Sequence, residues 1–270
     1  MSLPRLSFAD LHHQQAPLLL PNAWDHASAA LLAAAGFPAV ATTSLGVAAA
    51  AGEPDGAGVT REDTCRVAWS LGGGPFLLSV DAEDGYSDNP AEVALFAREL
   101  ADAGAVGLNL EDGRPDGTLT DPQLHAAKIA AVKATVPGMF VNARTDTVWL
   151  DRQQQETLPR LKAYQEAGAD CVFVPGLAAP VWIAELVKEL GVPLNVLYRP
   201  GGLSVAELGE LGVRRVSLGS LLYRVALGAA VETVAQIREG RPAGLNAPTY
   251  AEVQRLAAPP DADEACTDAG

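Results

Sequence analysis

Residues 103–113 read Ala103-Gly104-Ala105-Val106-Gly107-Leu108-Asn109-Leu110-Glu111-Asp112-Gly113. A glycine just past a helix end supplies the left-handed conformation that stops the helix and aims the chain into the next element. The apolar run behind it is near-continuous, as expected of a strand buried on both faces in a parallel sheet, and it ends abruptly in two acids. The same phrase recurs at Ala35-Gly36-Phe37 before 38–43, Ala167-Gly168-Ala169 before 170–174, Leu190-Gly191-Val192 before 193–197 and Leu211-Gly212-Val213 before 214–218. Strand-like runs at Leu18–Leu20, Phe76–Asp81 and Met139–Arg144 complete a set of eight. Amphipathic segments at 90–103, 122–135, 156–167, 180–190 and 204–211 alternate with them. Eight such repeats close naturally into a parallel ring, so the expected fold class is α/β, a (β/α)8 barrel. A doubly wound sheet is disfavoured: no GxGxxG follows the first strand, and Gly72-Gly73-Gly74 precedes a strand instead of opening a helix.

The length of 270 residues fits one barrel domain over 1–258. A short helix at 7–13 is expected to cover the barrel floor and an extra helix at 248–258 to follow the barrel, with 259–270 an acidic flexible tail. With 49% hydrophobic but only 6% aromatic residues, the core must be built from Ala, Val and Leu. A net charge of −14 with no basic run excludes nucleic acid and an anionic membrane surface as partners. Cys65, Cys171 and Cys266 form no CxxC pair, and Cys171, inside an apolar run, reads as an inert buried thiol. No signal peptide and no membrane-spanning run are legible, so the expected location is cytoplasmic.

Barrels carry their chemistry at the C-terminal ends of the strands. Here the third strand ends in Asp81-Ala82-Glu83-Asp84, the fourth in Glu111-Asp112 and the fifth in Arg144-Thr145-Asp146. Carboxylates so gathered cannot all stay ionised without a cation between them. Oxygen ligands with no paired His or Cys select a hard ion, Mg2+ in the first place and Mn2+ as the alternative. Arg144 is expected to offer its planar fork to a substrate carboxylate. Asp112 and Asp146 read equally well as helix N-caps or solvated loop acids. The segment Ala41-Thr42-Thr43-Ser44-Leu45-Gly46 reads as a loop whose backbone N–H groups cradle an anion, and Asp55 matters only if its own loop folds back to the metal. His12, His13, His26 and His125 read as surface or capping residues, and no GxSxG supports a serine triad.

Taken in order, Ala35-Gly-Phe-Pro-Ala-Val40, Thr43-Ser44-Leu45-Gly46, Gly52-Glu-Pro-Asp55-Gly, Asp81-Ala-Glu83-Asp-Gly85-Tyr86, Asn109-Leu-Glu111-Asp112 and Asn142-Ala-Arg144-Thr-Asp146 resemble the isocitrate lyase/phosphoenolpyruvate mutase superfamily from about Pro21 to about Ala230. The resemblance implies a barrel, Mg2+, 2-oxo acid or enolate chemistry, and homo-oligomers, dimers or tetramers, that exchange a C-terminal helix. It implies further that Asp81 ligates the metal directly while Asp55, Glu83 and Glu111 act through water. Thr43, Ser44 and Leu45 would hold the oxo-acid carboxylate, Arg144 the distal group, and Asn195 would line the same pocket. Ala41 replaces an aromatic residue of the family, whose space Trp24 would fill. Arg144 and Glu111 are the expected catalytic pair.

Two departures limit the reading. The lyases' Lys/Arg-Cys-Gly-His loop and the mutases' Lys-Asn-Ser loop are both absent from Gly113-Arg-Pro-Asp-Gly-Thr-Leu-Thr-Asp-Pro122, and the lyases' Glu after strand six is Gly176. The leading expectation is a Mg2+-dependent lyase or decarboxylase acting on a small 2-oxo or 2-hydroxy di- or tricarboxylate through an enolate. A phosphonopyruvate-type P–C enzyme and a non-catalytic binding protein for 2-oxoglutarate or oxaloacetate are the alternatives.

Overall fold

A computed structural model describes residues 6–244 and 246–256. Nine short strands run parallel: β1 (Leu18–Leu20), β2 (Asn22–Ala23), β3 (Ala39–Thr42), β4 (Leu77–Asp81), β5 (Ala105–Glu111), β6 (Phe140–Arg144), β7 (Cys171–Val174), β8 (Leu194–Leu197) and β9 (Arg215–Ser217). Their order is β1-β9-β8-β7-β6-β5-β4-β3-β2, so the sheet returns to its own start. β1 and β2 are two halves of the expected first strand, separated by Pro21. Proline has no N–H to donate to a ladder. Pairing passes across it: Leu18 lies opposite Arg215 of the last strand, and Asn22 opposite Ala41 of the next. The (β/α)8 expectation therefore holds, with its closing strand broken in the middle.

The helices at Pro90–Asp102, Pro122–Thr135, Pro180–Glu189 and Val205–Glu210 occupy the expected segments, and the segment 156–167 is a 3-10 turn, Gln154–Glu156, followed by a helix, Thr157–Glu166. Gly36, Gly104, Gly168 and Gly212 take φ between 91° and 102°, the left-handed stop the sequence implies. Gly191 differs, because its helix already ends at Leu190 in extended backbone. One helix, Ser44–Ala51, replaces an expected loop, and a further helix runs over Arg61–Leu71. The first is mostly Ala, Gly and Val, so it carries no amphipathic period to read.

Side chains alternate along each strand. Leu108, Leu110, Val141, Ala143, Val172, Val174, Val196 and Val216 face the helices and form the main core. The opposite set fills the barrel. At its floor Phe8, Leu11, Leu18, Leu20, Ala39, Ala41, Phe140 and Cys171 pack together, the first two from the N-terminal helix Phe8–Leu11. His12 belongs there too: fully buried, it stacks on Phe140 at 4.2 Å and meets the Phe8 carbonyl at 2.8 Å through Nδ1. His125 is also fully buried, against Tyr164. Neither is the surface residue expected, and burial pushes their pKa values down to about 3 and about 4, leaving both neutral at pH 7. Cys171 is buried as expected, its thiol pushed up to about 12 by burial.

The helix Leu221–Arg238 has no buried residue, and a final helix, Tyr250–Leu256, docks so that His26 Nε2 meets the Leu256 carbonyl at 2.8 Å. The end of the expected helix at 257–258, the tail 259–270 and Cys266 lie outside the described residues. Among the described residues no helix is long and apolar enough to cross a membrane.

Gly72 shows how tightly the outer layer is drawn. A Cβ placed on it would lie 1.6 Å from the Ala103 carbonyl oxygen, a backbone atom that cannot swing aside. Gly72→Ala is expected to destabilise the fold by about 3 kcal/mol, the upper end of overpacking costs, read as a lowered urea midpoint; an unchanged midpoint would show that the two backbones separate freely.

Candidate active site

The upper end of the barrel holds a cavity of about 110 Å³. Six of the residues singled out in the sequence line it: Thr43, Ser44, Leu45, Asp55, Asp81 and Arg144. Asp81 ends β4 and is almost wholly buried. Its Oδ2 accepts the Ser44 backbone N–H at 3.1 Å, and its Oδ1 has no hydrogen-bond partner. Ser44 opens the helix Ser44–Ala51, whose N-cap Thr43 makes no side-chain cap bond; with the Thr43 N–H on the Ala23 carbonyl and the Ser44 N–H on Asp81, those of Leu45 and Gly46 stay available. The expected anion cradle is thus a helix N-terminus. Glycines at 52, 56 and 58, all at positive φ, fold the following loop back and bring Asp55 to the cavity mouth.

Glu83, Glu111, Asn195 and Trp24 are not in the cavity lining. Glu83 stands behind it at φ 48°, a conformation that costs a non-glycine residue about 1–3 kcal/mol. Its carboxylate accepts from the Thr60 hydroxyl and from Tyr86 Oη at 3.1 Å. Asn195 lies beneath the cavity, donating to Ser217 Oγ at 3.1 Å. Trp24 packs edge-on to Tyr223 at 5.2 Å.

Arg144 is already engaged. Its Nε and Nη2 donate to the two oxygens of Asp146 at 2.6 and 3.0 Å, and Nη1 meets Glu111 Oε2 at 2.5 Å. Three of its five N–H groups are thereby used, leaving one on each terminal nitrogen for a ligand. Asp146 is therefore neither cap nor solvated acid. Asp112 is not one either: fully buried, it accepts from the Thr145 hydroxyl (2.8 Å), the Asp146 backbone N–H (2.8 Å), Tyr164 Oη (2.6 Å) and Arg160 Nη1 (3.1 Å). It anchors the turn that aims Asp146 at Arg144.

The loop 113–122 closes on itself through a Gly113–Leu119 bridge and is tied to the loop before the helix Pro90–Asp102 by an Arg114–Asp88 ion pair at 2.7 Å. None of its residues lines the cavity. The wall is instead Trp149, Phe173, Pro175 and Leu197, and the floor includes Asn109 and Ser217. Sequence reasoning missed these residues, although Phe173, Leu197 and Ser217 sit at strand ends, where a barrel's lining is to be sought.

The carboxylates feel one another. Desolvation by burial and the charge of Asp81 raise the pKa values of Glu83 and Asp55; in Asp55 the Ser44 hydroxyl pulls the other way. Glu111 is raised well above the usual value, first by burial and then, against the pull of Arg144, by Asp146, Asp81 and Glu83. Among the described residues no three His, Cys, Asp or Glu side chains converge closely enough to hold an ion directly. One direct carboxylate with an unpartnered oxygen, and acids around it at longer range, suit a cation that keeps most of its water, as Mg2+ does.

A model of the family described as phosphoenolpyruvate phosphomutase matches residues 8–238. An uncharacterized protein of Mycobacterium tuberculosis is 46% identical over 92% of this chain and 95% of its own length. An oxaloacetate decarboxylase of Pseudomonas fluorescens is 30% identical over 88% of each chain. The crystal structure of 2,3-dimethylmalate lyase superposes with a TM-score of 0.81 at 25% identity, covering 95% of both chains.

Raised carboxylate pKa values mean that the folded chain holds protons the unfolded chain releases, so these acids lower stability as pH rises above their ordinary values of 3.8 and 4.5. A cation among them opposes that loss. Thermal melts are expected to show a larger Mg2+-induced rise in Tm at pH 7.5 than at pH 5, and an equal rise at both would contradict the acid cluster as its source.

Proposed function

The chain belongs to the phosphoenolpyruvate phosphomutase family, within the isocitrate lyase superfamily, and from that premise we propose that it is a Mg2+-dependent decarboxylase or lyase of a small 2-oxo or 2-hydroxy dicarboxylate. The observation that carries this reading is Asp81, buried at the centre of the cavity with one oxygen unpartnered and with Ser44 N–H, Asp55 and Arg144 around it. The family resemblance to an oxaloacetate decarboxylase supports the choice of reaction.

In this reading Asp81 would hold the ion, with Asp55, Glu83 and Glu111 reaching it through water. A divalent cation so held supplies Lewis-acid stabilisation for the negative charge that develops on the 2-oxo oxygen. The chain's own residues do the rest. The free N–H groups of Leu45 and Gly46 at the start of helix Ser44–Ala51, with the Ser44 hydroxyl, bind the substrate carboxylate next to the oxo group. Arg144, its plane fixed by Asp146 and Glu111, presents its remaining N–H groups to the distal carboxylate. The wall of Phe173, Pro175, Leu197 and Trp149 lies beyond and excludes water. As the bond from C3 to the leaving carboxyl breaks, its electron pair moves into the C2–C3 enolate and CO2 departs. No acid is needed to protonate CO2, which agrees with a loop 113–122 that contributes nothing to the cavity.

A tricarboxylate fits less well. The cavity is small and carries one guanidinium, already shared between two carboxylates. The proposal includes a cytoplasmic homo-oligomer. Its support is the outer helix Leu221–Arg238, which leaves Val225, Leu227, Val231, Val234 and Ile237 exposed.

With Mg2+, the purified protein is expected to release CO2 from oxaloacetate well above the metal-only rate, and Asp81→Ala to lose at least about 100-fold of that rate, as removal of a principal electrostatic group does. Phosphate or phosphoenolpyruvate formed from phosphonopyruvate would favour P–C chemistry. Tight 2-oxoglutarate binding without turnover would favour a binding protein, and turnover indifferent to Asp81→Ala would sink the metal assignment.

A further inference from the structure

Arg215 stands on β9 with none of its side chain exposed, and among the described residues no carboxylate pairs with it. A cation buried with no ion-pair partner is unfavourable for folding alone. Burial lowers its pKa only to about 10, with the charge of Asp81 pulling the other way, so it is charged at neutral pH. What it touches suggests why it is there. Nε donates to Ser217 Oγ at 3.0 Å and Nη2 to Asn109 Oδ1 at 3.0 Å, while Nη1 has no partner. Both Ser217 and Asn109 line the cavity directly above.

The polarity of these bonds is fixed by chemistry, because a guanidinium can only donate. The Asn109 atom facing Arg215 must therefore be its carbonyl oxygen, which also accepts from Asn142 Nδ2 at 2.8 Å. The Asn109 amide N–H groups are left for the cavity. Ser217 Oγ likewise accepts twice, from Arg215 and from Asn195 Nδ2, so its hydroxyl proton must point elsewhere. Two neutral donors are thus turned toward the cavity, each polarised by the positive charge behind it.

We propose that Arg215 is a positioning residue which, through Asn109 and Ser217, makes the cavity floor a seat for a carboxylate of the bound 2-oxo acid. This rests on the 2-oxo acid reading above and adds to it the floor on which the ligand's charge sits. It also gives that charge a second partner in a cavity whose single lining guanidinium is shared between Glu111 and Asp146. Arg215 itself stays out of contact with the ligand.

Oxalate, a small stable dianion, is the probe, titrated calorimetrically into the full chain with Mg2+ present. Arg215→Met is expected to weaken oxalate binding roughly 10- to 100-fold, the value of hydrogen bonds to a charged group, with Mg2+ binding alone within about twofold. Ser217→Ala and Asn109→Ala are each expected to weaken it by about 3- to 10-fold. Combined with Arg215→Met each should cost less than the product of the single effects, since the donors are set by the arginine. Arg215→Lys should recover part of the loss. A purely structural Arg215 would lower Tm without this selective, non-additive loss of oxalate. An Arg215→Met protein that binds oxalate as the wild type does overturns the inference. If that variant does not fold, unchanged oxalate affinity in both Ser217→Ala and Asn109→Ala overturns it equally. A wild-type chain that binds Mg2+ but no oxalate brings down the functional reading and this inference together, whereas binding that survives all the variants brings down this inference alone.

Discussion

Two carboxylates must share one guanidinium at the top of this barrel, and most of the site's shape follows from that. Glu111 and Arg144 lie opposite each other in the register of β5 and β6, and Asp146 returns to grip Arg144 with both oxygens. Removing three groups of unlike charge from water is costly unless each is well paired and held. The holding comes from further out. Asp112, the neighbour of Glu111, fixes the backbone of Asp146 and is itself neutralised by Arg160 on the helix Thr157–Glu166. The ion pairs thus step from the helical layer to the cavity wall, joining two strand ends and one helix. With the ends of β5 and β6 tied in this way, loop 113–122 folds on itself outside the cavity lining.

That chain of contacts also marks the boundary of what the sequence reveals. Strand and helix ends were legible because their signals are local: a left-handed glycine after Ala103, Ala167 and Leu211, or a proline at the first helical position after Asn89 and Asp121. The acids at strand ends were legible because a barrel's active end is fixed by its topology. Asp112 was not, since its partners Arg160 and Tyr164 lie 48 and 52 positions away and nothing in spacing announces them. His12 and His125 read as surface residues for the same reason: a polar ring on a helix looks exposed until the layer that covers it is known. The helix Ser44–Ala51 reads as a loop because Gly and Ala repeats carry no period. The break at Pro21 was available in principle, a proline between two apolar pairs, but only ring closure gives it meaning.

Inside the barrel the sequence held a second pattern that went unread. Ser79, Asn109, Asn142, Asn195 and Arg215 each interrupt an otherwise apolar strand, and all are buried. A barrel of this size is filled by side chains, usually branched aliphatic ones. Here the floor layer keeps that rule, with Leu18, Leu20, Ala39, Ala41 and Phe140. The layer above it does not. Its amides and single guanidinium form hydrogen bonds to one another rather than to backbone, so each fixes the orientation of the next. A polar layer of that kind is worth its cost only if the cavity it supports needs defined donors.

The two ends of the cavity then divide the work by dielectric as much as by charge. On one side lie Asp81, its companion acids and the N–H groups of the helix Ser44–Ala51, where in the proposed reaction a 2-oxo acid's oxygens find partners. On the other lie Phe173, Pro175, Leu197 and Trp149, with only the edge of Arg144 among them. A carboxylate brought against that wall exchanges water for carbon and keeps at most one cation in reach; CO2, being neutral, loses nothing there. Charge that moves from the leaving carboxylate to the oxo oxygen travels from the poorly solvated end to the well-solvated one. Displacing charge in that direction is what lowers a decarboxylation barrier, and a wall built this way does so without a general acid. The proposed decarboxylation therefore rests on the walls that face Asp81 more than on the loop that follows Glu111.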